Sequence, residues 1–246
     1  MIQDLHSHTY YSFCGKDTPD QIVKTAIACG IDTLGISDHN YGVGLQHRTY
    51  AFPDPQRRAR HYQRALDAYL DHLRLIQAKY SDQIRILCGL EIATLDVPNW
   101  DLPDSLDISG FDYCLIESLG SQDSTMDDLF SFAKRCGCSK IGIAHTDVFT
   151  YLASTNQDPL DYFCKMADFG IFWELNVNYD SIHHYRQHQY VFDFFNSPEQ
   201  QSIIRRSGVK LSVGFDCHRV EDYRSDIIKE YCEKLDKLEL PMVFDV

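Results

Sequence analysis

Asp4-Leu5-His6-Ser7-His8, reached through a short apolar run, opens the chain, and Gly214-Phe215-Asp216-Cys217-His218 follows another such run near its other end. In an extended strand, residues two apart share a face. His6 and His8 therefore aim two imidazoles at one point, and Asp216 and His218 do likewise from across the fold; both residue types are metal ligands. Outward from these segments, short β-branched runs alternate with longer stretches of helical period, the pattern of repeated βα units around a parallel sheet. The strand windows are Ile2 to His6, Thr33 to Ser37, Ile84 to Ile92, Phe111 to Ile116, Lys140 to His145, Ile171 to Asn176 and Lys210 to Phe215.

Thr18-Pro19 supplies a capping hydroxyl followed by proline, which starts a first helix that runs to Cys29, before Gly30. A longer helix is expected from about Pro55 to Tyr80, with Leu66, Tyr69, Leu70, Leu73 and Ile76 on one stripe and Arg57, Arg58, Arg60 and Arg64 near its start. A solvated face and phosphate steering are the two readings of those arginines. Asp96 to Asp107, acidic and with two prolines, reads as a loop or short turn, and Val177 to Asn196 as a long connection.

With 246 residues and 44% hydrophobic content, the chain supports one large α/β domain over 1–246. No apolar run approaches the roughly 20 residues that span a bilayer, and Met1 leads into a strand without a signal peptide, so a soluble cytoplasmic protein is expected. Nine cysteines, mostly inside apolar runs, read as reduced packing residues, Cys136-Gly137-Cys138 included. A net charge of −13 disfavours long nucleic acids and anionic membranes. A small phosphorylated substrate stays compatible, because bound divalent cations reverse the local potential.

The candidate ligands collect at the C-terminal ends of successive strand windows, where parallel βα barrels place their active sites. His6 and His8 end the first, Asp38 and His39 follow the second, Glu91 ends the third, His145 the fifth, and Asp216 and His218 follow the seventh. This oxygen and nitrogen set suits Zn, Mn or Fe. Asp38 and Asp147 either orient ligand histidines or cap the helices that follow. Asn176 ends the sixth strand, where contact with a ligand and a structural amide hydrogen bond compete. The next run, Asn178 to His188, is rich in histidine and aromatics and can cover a pocket, with Arg186 facing phosphate and Tyr179 or Tyr185 stacking on a ring. His47 and Arg48 are weaker candidates of the same kind.

Asp4-Leu5-His6-Ser7-His8-Thr9, Ser37-Asp38-His39-Asn40, Gly89-Leu90-Glu91, Ile143-Ala144-His145 and Gly214-Phe215-Asp216-Cys217-His218 resemble, in order, the motifs of the polymerase and histidinol phosphatase (PHP) superfamily. The resemblance implies a distorted (β/α)₇ TIM-like barrel with two or three divalent metal ions (Zn, Mn or Fe) at the strand ends and Glu91 bridging two of them. His6, His8, His39, Glu91, His145, Asp216 and His218 are then ligands. The chain departs from the family pattern twice. Cys14 stands where a histidine usually follows His-x-His, and a thiolate ligand and a bystander at the pocket rim are both open readings. After the fourth strand no histidine occurs, and Glu117 either ligates in its place or is an exposed or paired carboxylate.

The implied activity is a metal-dependent phosphoesterase acting on a small phosphomonoester such as histidinol phosphate, with Asp216, Glu91 and His218 as catalytic residues. Asp216 would both ligate and accept the proton of the attacking water. Metal-assisted amide or lactone hydrolysis and a non-catalytic metal-binding module are the alternatives.

Overall fold

The computed structural model describes residues 1–45, 54–92, 107–120 and 126–245. His47, Arg48 and all of Asp96–Asp107 except Asp107 lie outside them. The strands are β1 Gln3–Asp4, β2 Thr33–Ile36, β3 Arg85–Ile92, β4 Tyr113–Ile116, β5 Ile141–Ile143, β6 Ile171–Asn176 and β7 Leu211–Gly214. Every neighbouring pair is parallel, and the spatial order is the chain order. Leu5 N donates to Val213 O (3.0 Å), His8 N to Cys217 O (2.7 Å) and Cys217 N to His6 O (3.2 Å), which brings the last strand back against the first. The result is an α/β barrel of seven strands, and each expected strand window contains one.

Helices connect the strands: α1 Pro19–Ala28, α2 Asn40–Leu45, α3 Pro55–Lys79, α4 Met126–Arg135, α5 Val148–Ser154, α6 Pro159–Asp168, α7 Gln189–Asn196, α8 Pro198–Ser207 and α9 Ser225–Lys237. α1 begins with a full capping box: Thr18 Oγ1 accepts from Gln21 N, and the Gln21 side chain accepts from Thr18 N. On α3 the buried stripe is Tyr62, Leu66, Tyr69, Leu73 and Ile76, alternating by four and three residues, while Leu70 is half-buried. The expected connection from Val177 to Asn196 is shorter than the sequence suggested. Its last eight residues form α7, which buries Tyr190, Val191 and Phe194 on one face; the polar run ahead of it masks that short stripe. Among the described residues, no helix is long and apolar enough to cross a membrane.

Among the described residues, two apolar groups fill the molecule. The larger lies between the sheet and the helices, and a smaller one, with Leu5, Leu87, Tyr113, Leu115, Ala144 and Phe172, fills the lower barrel lumen. Tyr113 is the largest occupant that needs room from its neighbours: a Cβ on Gly35 would sit 2.1 Å from its hydroxyl, and one on Gly89 2.4 Å from its ring. The tyrosine hydroxyl donates to Leu5 O at 2.7 Å, so its polar end is satisfied inside the barrel.

Candidate metal centre

Period-two alternation carries each strand from this apolar plug to the site. Leu87 fills the lumen on β3, and Glu91, four residues on, points to the same side; on β4 Tyr113 and Leu115 precede Glu117, and on β6 Phe172 precedes Glu174. At the upper end the side chains of β1 and β7 converge. His6 Nε2 and His8 Nε2 stand 3.1 Å apart. Asp216 Oδ1 lies 3.0 Å from His8 Nε2 and 3.5 Å from His6 Nε2, and Glu91 reaches the same two nitrogens at 3.2 and 3.3 Å. Ligands at about 2.0–2.1 Å in a tetrahedron are about 3.3 Å from one another. His6, His8 and Asp216 therefore hold the mutual spacing of a coordination shell, with one Glu91 oxygen against each histidine.

Beside it, His39 Nδ1 is 2.9 Å from Glu91 Oε2 and 3.3 Å from Glu117 Oε1, and His145 Nε2 is 3.2 Å from Glu91 Oε1 and 3.8 Å from Glu117 Oε2. Despite the 2.9 Å contact, His39 Nδ1 and Glu91 Oε2 make no well-formed hydrogen bond. A buried polar atom left in that state costs about 1–3 kcal/mol, and a cation between the two would satisfy both. In a third grouping the ligand atoms of His8, Cys14, His39 and His218 all lie within 4.8 Å of one another, and in a fourth those of Asp180, His183 and His218 do. The donor set fits divalent zinc, manganese or iron.

The supporting contacts fix which nitrogen faces the centre. Glu174 Oε1 lies 2.8 Å from His6 Nδ1, which leaves Nε2 free toward the centre, and Glu174 Oε2 accepts from His145 N at 2.9 Å. Gly214 makes room for that carboxylate, since a Cβ there would come within 2.1 Å of Glu174 Oε1. Asn176 donates to Glu174 Oε2 at 3.2 Å and accepts from Asn178 N at 3.2 Å, which makes it a support for Glu174. Asp38 clamps the loop after β1, accepting from Thr9 N, Thr9 Oγ1, Ser12 N and Ser12 Oγ at 2.7 to 3.1 Å. Asp147 caps α5 by accepting from Thr150 N. The backbone is strained here: Asp216, His145 and Ser118 have φ of 57°, 28° and 59°, left-handed values that non-glycine residues seldom hold outside over-determined sites.

Burial pushes His6 down, but Glu91, Asp216 and Glu174 outweigh it and hold the ring well above the usual imidazole range. Burial and the neighbouring His39 push His8 down to about 3. Burial alone would raise Glu91 and Asp216; the imidazoles around them, His6 foremost, hold both well below the carboxylate range. Burial opposes ionisation of Cys14, yet hydrogen bonds with His218 and His39 bring it down to about 7.

These side chains open on a cavity of ≈ 250 Å³ lined by His39, Glu91, Glu117, His145, His183, His188, Asp216 and His218. His183 and His188 were named in the sequence only as part of a histidine-rich run. The structure brings His183 Nδ1 within 2.7 Å of Asp180 Oδ1 and its Nε2 within 3.3 Å of Asp216 Oδ2, and stacks His188 on His145 at 6.1 Å. Arg186 is exposed and lies outside the cavity lining. Tyr179 and Tyr185 pack on each other at 5.6 Å.

The fold and motifs find relatives. Histidinol phosphate phosphatase from Lactococcus lactis, solved with zinc, L-histidinol and phosphate, is 16% identical, with 98% of this chain and 95% of that chain covered and a TM-score of 0.56. A structure described with YwqE from Bacillus subtilis and CpsB from Streptococcus pneumoniae, metal-dependent tyrosine phosphatases, is 16% identical over 95% of this chain and 87% of that one, with a TM-score of 0.49. No curated protein matches the sequence. The PHP domain family matches residues 4–187, and by that match, over most of the strands and all but the last ligand motif, the chain belongs to the PHP family.

Proposed function

We propose that the protein, as one domain over 1–246, is a metal-dependent phosphoesterase that hydrolyses a small phosphomonoester of the histidinol phosphate kind, using two or three divalent cations. The observation that carries this reading is the set of three donors, His6 Nε2, His8 Nε2 and Asp216 Oδ1, already spaced at 3.0 to 3.5 Å from one another, with Glu91 reaching the two histidine nitrogens at 3.2 and 3.3 Å. His39, Glu117 and His145 extend the set through Glu91, and these residues would hold a further cation. When bound, the cations supply Lewis acidity toward the phosphoryl oxygens and lower the pKa of water.

The chain's own residues do the rest. Glu174 holds the His6 tautomer, and Asp216, with Oδ2 facing His183 Nε2 at 3.3 Å, takes the proton of the attacking water. His218 is fixed by its Nδ1 at 2.8 Å from Asp216 O, so its other nitrogen serves the cluster. Asn176 acts by positioning Glu174. A cavity of ≈ 250 Å³ admits a phosphate with a compact organic group, and a net charge of −13 turns polyanions away.

Phosphate release from a panel of phosphomonoesters that includes histidinol phosphate tests this, with metal-stripped protein reloaded with Zn, Mn or Fe beside His218→Ala. Turnover that requires metal and is lost in His218→Ala is expected. Silence across the panel at stoichiometric metal rejects the phosphoesterase reading.

A further inference from the structure

Cys14 and Glu117, the two places where the chain departs from the family's histidines, differ most in chemistry: one offers sulfur and the other oxygen. Cys14 sits on the loop after β1 that Asp38 clamps through Thr9 and Ser12, and the same Ser12 hydroxyl accepts from His39 N at 2.9 Å. The loop and the start of α2 are thereby locked together, which brings Cys14 to His39. From the other side, Lys16 N donates to His218 O at 3.1 Å and ties the loop to the segment after β7. The rings of His39 and His218 each stack on His8 at 4.5 Å, so three imidazoles and one sulfur share a corner. His8, His39 and His218 are 1%, 8% and 5% exposed, so the corner is nearly closed to solvent. Across Glu91, the other corner presents carboxylate oxygen from Glu117 within 3.3 Å of His39 and 3.8 Å of His145.

We infer that the Cys14 sulfur is a thiolate ligand and that it makes the corner formed with His8, His39 and His218 selective for a thiophilic divalent cation, while the Glu91 and Glu117 corner accepts a harder one. Sulfur with imidazole favours zinc, cobalt and ferrous iron, whereas carboxylate-rich sites take manganese. Formation of the metal–sulfur bond releases the Cys14 proton to solvent and changes no oxidation state. The inference rests on the reading that this cluster binds metal, and it is independent of which substrate is hydrolysed.

Cobalt(II) reports the bond directly, because thiolate ligation adds a sulfur-to-cobalt charge-transfer absorption in the near ultraviolet. Full-length metal-stripped protein is titrated with cobalt, and bound metal is counted by elemental analysis. The wild type is expected to show the band, and Cys14→Ser to lose it. Cys164→Ser, a half-buried cysteine on α6, keeps it. Cys14→His, which restores the family's residue type, is expected to lose the band while holding as much cobalt as the wild type, and it serves where the serine variant fails to fold by circular dichroism. Cobalt bound without the band, or a band that survives in Cys14→Ser or Cys14→His, overturns the thiolate ligand and leaves the metal-binding reading standing. No cobalt bound to the wild type overturns both.

Discussion

The two ends of the barrel lumen are lined by the same strands and do opposite work. In the lower half Leu5, Leu87, Tyr113, Leu115, Ala144 and Phe172 close on one another, the Tyr113 hydroxyl has Leu5 O at 2.7 Å and Gln3 Nε2 has Val243 O at 2.9 Å, with Gln3 Oε1 left unpaired. In the upper half Glu91 and Asp216 are buried among imidazoles, and His39 Nδ1, Glu91 Oε2 and Asp180 Oδ2 are left without hydrogen-bond partners. One end is filled by apolar packing, while the other concentrates buried ionisable donors that face one another. Two residues along a strand separate these regimes, as between Gly89 and Glu91 on β3. Stability and function are thus stacked along the barrel axis, so a substitution can damage one and spare the other.

The largest effect expected at the upper end comes from His8→Ala and His218→Ala. Each removes a ligand nitrogen with little core volume, so metal-dependent turnover is abolished while the stability of the metal-free protein moves by about 1 kcal/mol or less. Phosphate release and a denaturant midpoint on the same samples check this, and unchanged turnover in both variants breaks the comparison at its functional end. At the lower end Tyr113→Ala is expected to cost about 3–5 kcal/mol, as for other buried aromatics, because it opens a cavity against Gly35 and Gly89 and strips Leu5 O of its donor. Its folded fraction should still take up zinc at wild-type stoichiometry. Loss of zinc in step with stability would mean that the two ends are one unit.

This stacking was partly legible in the sequence. Buried parallel strands read as continuous apolar runs, which is why all seven windows fall where strands form. His6 with His8 and Asp216 with His218 are visible because ligands of one pair sit two residues apart, on one face of the chain. The partners of those ligands are not visible, since Glu174 meets His6 across 168 residues and the pair exists only once the barrel closes. His183 was hidden differently: it lies in a loop where His184 and Tyr185 hold left-handed backbone at φ 54° and 52°, and no local periodicity says which of the clustered histidines turns inward. Asp147 was ambiguous between two roles, and only the 2.9 Å contact with Thr150 N identifies it as a helix cap.

Glu174 stands at the boundary between the two ends, directly above Phe172 on β6. Glu174→Gln keeps the size and one acceptor but removes the charge that holds His6 Nδ1 at 2.8 Å. Partners of this kind change metal affinity about 10- to 100-fold, which equals about 1.4–2.7 kcal/mol. A zinc competition titration should show that loss, and turnover at saturating zinc should recover most of its value. An affinity within twofold of the wild type would assign Glu174 to packing.

Thr18→Ala gives the smallest effect and the cleanest control. Thr18 caps α1 outside both halves of the lumen, accepting from Gln21 N at 3.2 Å, and its removal leaves that amide only the Thr18 carbonyl at 3.0 Å and frees the Gln21 side chain from the Thr18 hydroxyl. Loss of such a cap costs about 1 kcal/mol. α1 buries Ile22, Val23 and Ala26 in the outer core, so it is the sheet–helix layer that weakens, and neither the lumen plug nor the donor cluster loses a contact. The denaturant midpoint should fall by that amount with zinc affinity unmoved. If zinc affinity fell as well, the donor spacing of 3.0 to 3.5 Å would depend on the stability of the whole barrel, and the separation of its two ends would not hold.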